Sequence, residues 1–493
     1  MSRQEGLFTE HLPKIKIPVA TRVEAHFGKN RLFQLLFEGY EGSAESITAA
    51  SGTESWTELK LPTGDLFRVY ESGARSTFTH PHLRVAGSKL KWENAKLPAL
   101  SPSCRQNALD SWKDAFRFFR EDPGTGQPGL RPPQIGALHA IHAHWTVEDK
   151  PATIVMPTGT GKTETMLATL VSERCDRVLV IVPSVVLRDQ LFGKFATLGL
   201  LKKLTNLAQS AQFPVVGLMR SSLQTATAVD ELFGSANVIV AVINSVVASS
   251  PEALARIVEI CSHLFIDEAH HVPARTWSQL KAQFQHKHVL QFTATPYRND
   301  GKRVDGKVIY SFPLRKAQEQ GYFKPIQYKP IYQFRPELSD EAIAEAAIKQ
   351  LREDLNVGLD HVLMARAHPI ERLKQILPIY SAKAADLNPV IIHSQMSQTD
   401  RKLALDSMKT GQSRVILCDN MLGEGFDYAQ LKVAALHDLH KSLAITLQFT
   451  GRFTRTSLDA KLGPATMIAN AALSGIGNEL RDLYAQDADW NRL

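Results

Sequence analysis

The segment MPTGTGKT at residues 156–163 places a lysine and a threonine behind two glycines, and this composition suits a phosphate chain. Gly159 and Gly161 let backbone N–H groups approach phosphate oxygens without a Cβ in the way, and a following helix N-terminus adds a favourable dipole. Lys162 would reach the β- and γ-phosphates, and the Thr163 hydroxyl would ligate Mg²⁺. The predicted loop residues are Thr158, Gly159, Thr160, Gly161, Lys162 and Thr163.

The context of this segment separates a phosphate-binding loop from an accidental glycine-rich turn. The strand-like ATIVM precedes it and the helix-like ETMLATLVSE follows it, which is the strand, loop and helix order that a P-loop requires. Met156 departs from the full motif GxxxxGKT, which has glycine at that position. The context favours the P-loop.

A second block, HLFIDEAHH, places two carboxylates after a strand-like run. Ligands of open parallel sheets bind at the carboxyl ends of the strands, so Asp267 would hold Mg²⁺ and Glu268 would orient and deprotonate an attacking water. Two adjacent acids could instead form a solvated helix cap, a reading that the P-loop makes much weaker. His270 and His271 lack further metal ligands at suitable spacing, so His270 is assigned to coupling between the nucleotide and neighbouring loops.

Short β-branched runs alternate with helix-like stretches from residue 152 onward, which predicts βαβ units around parallel sheets. The first set of runs comprises ATIVM (152–156), RVLVIV (177–182), NVIVAV (237–242), HLFI (263–266) and VLQF (289–292). The second set comprises HVLMA (361–365), PVIIH (389–393), SRVILC (413–418), VAALHD (433–438) and ATMI (465–468). A Pro- and aromatic-rich stretch at 321–340 separates the two sets and marks a junction between two α/β domains.

The first 125 residues differ, because their short alternating pieces are separated by Gly, Ser and Pro. The predicted division is therefore an N-terminal accessory domain at 1–125, a first α/β domain at 126–323 and a second at 324–493. No internal repeat or low-complexity tract is seen.

The overall composition excludes a disordered chain, since 44% of the 493 residues are hydrophobic. A formal charge of +7 and a pI near 9.1 mildly favour a polyanionic partner. The four cysteines lie far apart without a CxxC pair, which fits neither a zinc site nor a disulfide framework. No N-terminal apolar region or long apolar run is present, so a soluble cytoplasmic protein without membrane contact is expected.

With MPTGTGKT followed by HLFIDEAHH, the chain resembles superfamily 2 helicases, specifically the DEAH-type motor subunits of type I and type III restriction enzymes and related phage-defence helicases. The resemblance covers residues 130–457 and implies two tandem RecA-like domains that bind ATP and Mg²⁺. It implies that Gln134 of LRPPQIGALHAI, just after Arg131, contacts the adenine, and that Gly425 and Asp427 of GEGFD sense the nucleotide across the cleft.

Further blocks of the resemblance imply contacts to nucleic acid or coupling to it. VPSVVLRDQ and INSVV are similar to strand-contacting blocks, and FTATPYR is similar to the block that links the ATP site to nucleic acid. Ser184 stands where the family commonly has another polar or basic residue. The residues implied are Ser184, Asn244, Ser245, Thr293, Ala294, Thr295 and, from a later block, Gln448.

QFTGRFTR places Arg452 and Arg455 three residues apart, where they share one helix face and can project together into a cleft. A solvated basic face is the alternative, but the preceding GEGFD block favours arginine fingers. Such an arginine on the γ-phosphate accelerates hydrolysis by roughly 10³ to 10⁵. Hydrolysis would then require the two domains to close.

The predicted partner is DNA, single- or double-stranded, contacted mainly at phosphate and sugar. Trp112, Phe116 and Phe119 could stack bases, but aromatics at helical spacing are more often core. The resemblance implies antiviral defence together with a separate nuclease. The sequence shows no nuclease signature, so that unit is expected on another polypeptide or on an extension beyond residue 493. The alternatives are a DNA-repair helicase, an RNA helicase and an ATP-switched nucleic-acid clamp.

Overall fold

The structure of the chain is a computed structural model. It describes residues 10–11, 15–17, 20–37, 40–42, 45–51, 54–60, 66–72, 75–80, 83–86, 91–93, 100–157, 159–271, 280–294, 304–320, 322, 326–393, 395–419, 428, 430–438 and 463–472. None of the helices in these ranges has the length and apolar composition needed to cross a bilayer.

The N-terminal region is built from antiparallel strands. Their bounds are β1 Glu10–His11, β2 Ile15–Ile17, β3 Ala20–Phe27, β4 Asn30–Phe37, β5 Tyr40–Gly42, β6 Glu45–Ser51, β7 Glu54–Lys60, β8 Leu66–Ser72, β9 Arg75–His80, β10 Leu83–Ala86 and β11 Lys91–Glu93. One sheet has the order β1-β6-β7-β8-β9-β10-β11, and β2 pairs with β5. Strands β3 and β4 leave this arrangement and join the next sheet.

The second sheet carries the P-loop and the acidic block. Its further strands are β12 Ala152–Val155, β13 Val178–Val182, β14 Val215–Met219, β15 Val238–Val242, β16 His263–Ile266, β17 His288–Thr293 and β18 Lys307–Ser311. The order is β18-β12-β17-β16-β13-β15-β14-β4-β3, in which β12 to β18 are mutually parallel and β4 pairs antiparallel with β14. The continuous Val, Ile and Leu of the central strands are fully buried, as expected for a parallel sheet covered on both faces.

Helices cover this sheet and continue into the second α/β unit. Their bounds are α1 Pro102–Ser111, α2 Pro132–Val147, α3 Lys162–Ser172, α4 Val185–Thr197, α5 Ala226–Phe233, α6 Ile243–Val247, α7 Pro251–Ile260, α8 Leu314–Glu319, α9 Ser339–Asn356, α10 Ile370–Lys383 and α11 Gln398–Lys409. Short 3₁₀ turns lie at Ala269–His271, Pro336–Leu338 and Ala385–Leu387.

The third large sheet is entirely parallel. It contains β19 Ile326–Ile331, β20 Val362–Arg366, β21 Val390–Ile392, β22 Val415–Cys418, β23 Leu431–Leu436 and β24 Ala465–Asn470 in the order β19-β24-β23-β20-β22-β21. The chain thus forms two tandem RecA-like domains, and the predicted fold class is confirmed.

The ten predicted strand runs all form strands, with shifts of one or two residues at several ends. Within the two α/β domains, three described strands were not predicted: β14, which contains Gly217, the short β18, and β19, which contains Pro330 and lies in the stretch read as a junction. Proline is tolerated in β19 because it is an edge strand.

The accessory region at 1–125 contributes directly to the first RecA-like domain. Strands β3 and β4 extend its sheet, and Trp112 is 1% exposed in its core, where the indole N–H donates to the carbonyl of Gln212. Helix α1 ends at Ser111, so Trp112, Phe116 and Phe119 do not lie on one helix; Phe119 is exposed and Phe116 is partly buried against the core. Part of the predicted accessory region therefore packs as an integral element of the first RecA-like domain.

Candidate nucleotide-binding site

The P-loop follows β12 directly and curves into α3. The N–H of Met156 donates to the carbonyl of Thr293 at 2.9 Å, which continues the β12–β17 ladder by one residue. The Met156 side chain is fully buried, so the position where the full motif has glycine is occupied by a core side chain. Gly159 and Gly161 have φ values of +87° and +95°, the left-handed region that glycine adopts without a steric penalty. Thr158 lies outside the described residues.

Gly161 is required sterically as well as conformationally. A Cβ at this position would lie 1.9 Å from Nε2 of Gln134, because the Gln134 amide fills the space beside the glycine. Gln134 is 3% exposed, its Oε1 accepts the N–H of Arg131 at 2.7 Å, and its Nε2 lies 3.4 Å from the carbonyl oxygen of Gly161. The start of α2 and the P-loop are therefore interlocked. The adenine contact of Gln134 stays a prediction.

Three residues beside this interlock were not singled out as site residues from the sequence. The Arg131 guanidinium donates to the carbonyl of Gly159 at 2.8 Å and lies over the Tyr322 ring at 5.0 Å. The Tyr322 hydroxyl donates to Glu121 at 2.5 Å. Desolvation and the Glu121 carboxylate raise the pKa of this phenol above its ordinary value. Arg131 adjoins the predicted block, but the sequence carries no signal that brings Tyr322 to it.

The acidic block lies at the end of β16, beside the P-loop lysine. Nζ of Lys162 donates to Oε1 of Glu268 at 2.9 Å, and Oδ1 of Asp267 accepts the N–H of Glu268 at 3.0 Å. Lys162 is 9% exposed and Asp267 is 5% exposed, so a cation and two carboxylates share a largely water-excluded site. Glu268 has a φ of +49°, which costs a non-glycine residue about 1–2 kcal/mol. Such strain at a site of clustered charges is typical of a functional position.

The charge balance of this cluster changes the pKa of one of its two carboxyl groups. Burial and the neighbouring Glu268 carboxylate raise the pKa of Asp267 to about 7, although Lys162 and the N–H of Glu268 act in the opposite direction. One buried cation does not neutralise two carboxylates. The site therefore favours an additional positive charge, either a proton or a metal ion.

His270 joins the acidic block to β17. Its Nδ1 lies 2.8 Å from Oγ1 of Thr293, and both residues are buried. The Thr293 carbonyl accepts the N–H of Met156, so these contacts run from the acidic block through the end of β17 to the P-loop. This connection suits the predicted coupling role of His270 and Thr293. Thr295 lies outside the described residues.

The residues present fit a magnesium nucleotide. Two positive-φ glycines open the loop backbone, a buried lysine stands at the N-terminus of α3, and a buried carboxylate lacks a full countercharge. Mg²⁺ in nucleotide sites is commonly held by one or two protein oxygens together with phosphates, which matches Thr163 and Asp267. Within the described ranges, no three His, Cys, Asp or Glu side chains are grouped to hold a metal by themselves.

Two residues predicted to contact nucleic acid lie at the same carboxyl edge of the sheet. Ser184 follows β13 and caps α4, accepting the N–H of Leu187 at 3.4 Å. Asn244 follows β15 in α6 and is exposed. Because the strands are parallel, both side chains stand on the edge that carries the P-loop and the acidic block.

The predicted residues of the second domain, Gly425, Asp427, Gln448, Arg452 and Arg455, lie outside the described residues. The strands that lead to them are described: β22 precedes the GEGFD block and β23 precedes the arginine block. Both strands run parallel in the third sheet, so their carboxyl ends lie at the same edge.

A polar cluster at the end of β23 was not predicted. Asp340 at the start of α9 accepts hydrogen bonds from Arg372 at 3.0 Å and shares one with Nδ1 of His437 at 2.9 Å, while Nε2 of His437 meets the Tyr380 hydroxyl at 3.0 Å. Burial acts to raise the pKa of Asp340, but the bonds to His437 and Arg372 hold it down at about 2. These contacts fix the end of the strand that leads to the arginine block.

Two family models match the chain. "Type III restriction enzyme, res subunit" matches residues 127–298, and "Helicase conserved C-terminal domain" matches residues 355–457. The first range contains the P-loop and the acidic block, and the second contains the GEGFD block and the whole arginine block.

Sequence relatives match shorter parts. A protein named helicase 22 of Sulfolobus islandicus filamentous virus is 24% identical over 241 residues, 43% of this chain and 43% of the relative. DEAD-box ATP-dependent RNA helicase 15 of Arabidopsis thaliana is 27% identical over 115 residues, 22% of this chain and 26% of the relative. The chain thus spans less than half the length of these curated relatives.

Two solved structures share the fold. A fragment described as an HsdR subunit of a type I restriction enzyme from Vibrio vulnificus matches with a TM-score of 0.51 and 15% identity, over 94% of this chain and 89% of that chain. Mss116p bound to single-stranded RNA and AMP-PNP matches with a TM-score of 0.51 and 17% identity, over 73% of each chain.

Proposed function

The chain is a superfamily 2 helicase related to restriction enzymes, and from this premise we propose that it hydrolyses ATP to move along or unwind DNA. The hydrolysis site is the carboxyl edge of the first parallel sheet. The observation that carries the proposal is the contact between Lys162 and Glu268, at 2.9 Å, beside the buried carboxyl of Asp267.

The ion pair describes a site prepared for a phosphate chain. The Glu268 carboxylate holds Lys162 at the N-terminus of α3. A phosphate oxygen of a bound nucleotide would compete with this carboxylate for Lys162. When Lys162 turns to the β- and γ-phosphates, Glu268 loses its cation and is left to orient water and accept its proton. The positive φ of Glu268 sets the direction of its Cα–Cβ bond.

Thr163 and Asp267 would hold Mg²⁺, with the Asp267 carboxyl giving up its proton as the metal binds. Mg²⁺ supplies charge that offsets the phosphate oxygens. Gln134 and the backbone of Thr158, Gly159, Thr160 and Gly161 would hold the rest of the nucleotide.

The second domain completes the site in this proposal. Arg452 and Arg455 stabilise charge on the γ-phosphate, which is worth about 4–7 kcal/mol, and Gly425 and Asp427 sense the nucleotide. Hydrolysis then requires the two domains to approach each other, and release of the products lets them separate. Repetition of this cycle moves the nucleic acid.

The nucleic acid would contact Ser184, Asn244 and Gln448, and His270, Thr293 and Thr295 would couple these contacts to hydrolysis. DNA is favoured because the family model that covers the ATP site is that of a restriction enzyme subunit. The relatives named as RNA helicases support the alternative, an RNA helicase.

The biological role that we propose is antiviral defence, with a separate nuclease as partner, because restriction enzymes combine such motors with DNA cleavage. DNA repair is the alternative role. An ATP-switched clamp is the third, and it would bind nucleic acid without rapid turnover.

ATP hydrolysis by the purified chain tests the proposal, measured without nucleic acid and with single-stranded DNA, duplex DNA or RNA. We expect DNA to stimulate turnover and Glu268→Gln to lower it by about 10²–10⁴-fold while ATP binding persists. Glu259→Gln, an exposed carboxylate on α7, is the matched control and should leave turnover unchanged.

Stronger stimulation by RNA would replace the DNA proposal with the RNA helicase. Turnover that ignores every nucleic acid, with binding retained, would establish the clamp. Displacement of a labelled strand from a duplex, compared with displacement of a triplex-forming strand, then separates unwinding from duplex translocation.

A further inference from the structure

The β3–β4 hairpin delivers its turn to the same edge of the sheet as the ATP site. Strand β4 pairs antiparallel with β14, so the start of β4 lies beside the end of β14, with Arg31 opposite Leu218. Because β14 is parallel to β13 and β15, its end lies on the carboxyl edge. The two-residue turn Gly28–Lys29 therefore projects at this edge, and Gly28 has the positive φ of +60° that a tight hairpin turn needs.

A buried asparagine fixes the turn in place. Oδ1 of Asn30, a residue 2% exposed, accepts the N–H groups of Arg220 at 2.8 Å and Ser221 at 2.9 Å, and the Ser221 hydroxyl at 3.2 Å. The turn and the segment after β14, 190 residues apart in the chain, are thus held as one unit. A hairpin that only covered the edge of the sheet would not need these hydrogen bonds at its turn.

This unit presents two basic side chains to solvent. Lys29 and Arg220 are both exposed, and no ion pair connects either of them to another described residue. The neighbouring Arg31 is engaged instead, with its guanidinium over the Phe192 ring at 4.8 Å and 3.8 Å from Glu24. Among the described residues of this turn and of the segment after β14, Lys29 and Arg220 are therefore the cations that no ion pair holds.

Lys29 of the hairpin turn and Arg220 after β14 continue a row of polar groups along the carboxyl edge. In the order β13, β15, β14 and β4, the row is Ser184, Asn244, Arg220 and Lys29. Adjacent strands are about 4.8 Å apart, so the row extends about 14 Å. The segment after β14 is also tied to the region of α6, since Ser249 Oγ accepts the N–H of Leu223 at 3.0 Å.

We propose that the Gly28–Asn30 turn and Arg220 form a phosphate-binding site for the nucleic-acid backbone, which extends the path of the strand beyond Ser184 and Asn244. This inference rests on the proposed function. Its ligand is a phosphodiester chain, because two exposed cations without base-reading partners neutralise phosphates regardless of sequence.

The salt dependence of binding tests the site. The full chain is titrated against a fluorescein-labelled 20-nucleotide oligo-dT and a 20-base-pair duplex over a range of NaCl concentrations. Each phosphate contact contributes a slope of about 0.7 on single strands and about 0.9 on duplex DNA. We expect the double variant Lys29→Ala with Arg220→Ala to reduce the slope of log K against log salt by about 1.4 on the oligo-dT and by about 1.8 on the duplex.

Two controls keep the result interpretable. Lys29→Arg with Arg220→Lys keeps both charges and should keep the slope. Lys150→Ala, an exposed lysine just before β12 at the opposite edge of the sheet, should leave binding unchanged. Thermal unfolding shows whether each variant folds.

An unchanged slope in the double alanine variant, with the wild type binding DNA in a salt-dependent manner, would overturn this site and leave the proposed function intact. Failure of the wild type to bind any nucleic acid would overturn both. A loss of binding in the charge-conserving variant equal to that in the double alanine variant would also overturn the phosphate site.

Discussion

At the scale of single residues, the site is defined by an imbalance of buried charge. Lys162 faces two carboxylates, of which Glu268 takes the ion pair and Asp267 is left with a raised pKa of about 7. The cluster is therefore arranged for a second cation. Below about pH 7 a protonated Asp267 fills that need in the ligand-free protein, and Mg²⁺ would fill it in the nucleotide complex.

The protonation of Asp267 predicts a pH dependence of stability. Its pKa is higher in the folded chain than the unfolded value of 3.8, so its stabilising contribution is complete below about pH 4 and is lost as pH rises through about 7. Asp267→Asn mimics the protonated form at every pH. In thermal unfolding without ligand, we expect the melting temperature of the variant, relative to that of the wild type, to rise by on the order of 5 °C from pH 5 to pH 8.

Asp149→Asn, which removes an exposed carboxylate, controls for the loss of a negative charge. A difference between Asp267→Asn and the wild type that is equal at pH 5 and pH 8 would show that Asp267 is ionised throughout this range.

At the scale of elements, the start of α2 is part of the P-loop. The Gln134 amide occupies the space beside Gly161, and Arg131 holds the carbonyl of Gly159. Loop and helix therefore cannot move independently. A change of the loop on phosphate binding would be passed to α2 and, through Arg131, to the ring of Tyr322.

This interlock predicts an unequal response of the two loop glycines. Gly159→Ala suffers only from its positive φ, since its Cβ would meet no atom closer than 3.5 Å, and should weaken ATP binding by roughly tenfold. Gly161→Ala adds a clash with Gln134 and should weaken binding by roughly a hundredfold. Fluorescent ATP-analogue titration measures both.

Adding Gln134→Ala to Gly161→Ala removes the clash but not the backbone strain. Because Gln134→Ala also removes the proposed adenine contact, its single variant is the reference: we expect Gly161→Ala to weaken binding less in the Gln134→Ala background than in the wild type. Equal binding by the two glycine variants, or an equal loss from Gly161→Ala in both backgrounds, would mean that Gln134 does not constrain the loop.

At the scale of the whole molecule, the described strands of the N-terminal region are divided among three sheets. Strands β3 and β4 and helix α1 belong structurally to the first RecA-like domain, whereas β1 and β6 to β11 form a sheet of their own and β2 pairs with β5. The residues that this region contributes to the domain core are Leu32, Leu35, Ala108, Leu109, Trp112 and Ala115. The first RecA-like domain therefore does not begin at residue 126 as a structural unit.

Truncation tests this division. A fragment of residues 126–493 would leave the edge of β14 unpaired and expose the core that Trp112 covers, so we expect it to aggregate or unfold at a clearly lower temperature. A fragment of residues 18–493 keeps the hairpin and α1 and should remain soluble. Size-exclusion chromatography and thermal unfolding measure this. A soluble 126–493 fragment with the melting temperature of the longer one would contradict the integral role of the hairpin.

Much of the architecture follows from local patterns in the sequence. Ten strands were predicted because short, continuous β-branched runs such as VLVIV are typical of a strand covered on both faces. Gly159, Gly161 and Lys162 were recognisable because a phosphate loop needs these residue types in consecutive positions. Asp267 and Glu268 were predicted to lie at the carboxyl end of a buried strand because the residues before them are strongly apolar.

Other features depend on contacts between distant residues. Strand β19 contains Pro330, which weakens a strand signal, and only its edge position beside β24 makes it tolerable. The pairing of β4 with β14 has no local signature, because any edge strand offers the same unpaired backbone groups. The filling of the space at Gly161 by Gln134 likewise arises only when α2 packs beside the loop.

The sequence by itself thus determined the parallel strands of the two RecA-like domains and the residue types at the carboxyl edge of the first, since local conformation depends on neighbouring residues in the chain. The tertiary structure alone decided that Asp267 is buried enough to hold a proton near neutral pH and that an N-terminal hairpin brings Lys29 to the edge beside Arg220. Burial, desolvation and strand pairing depend on which distant segments pack together, and residue types in a row do not specify this.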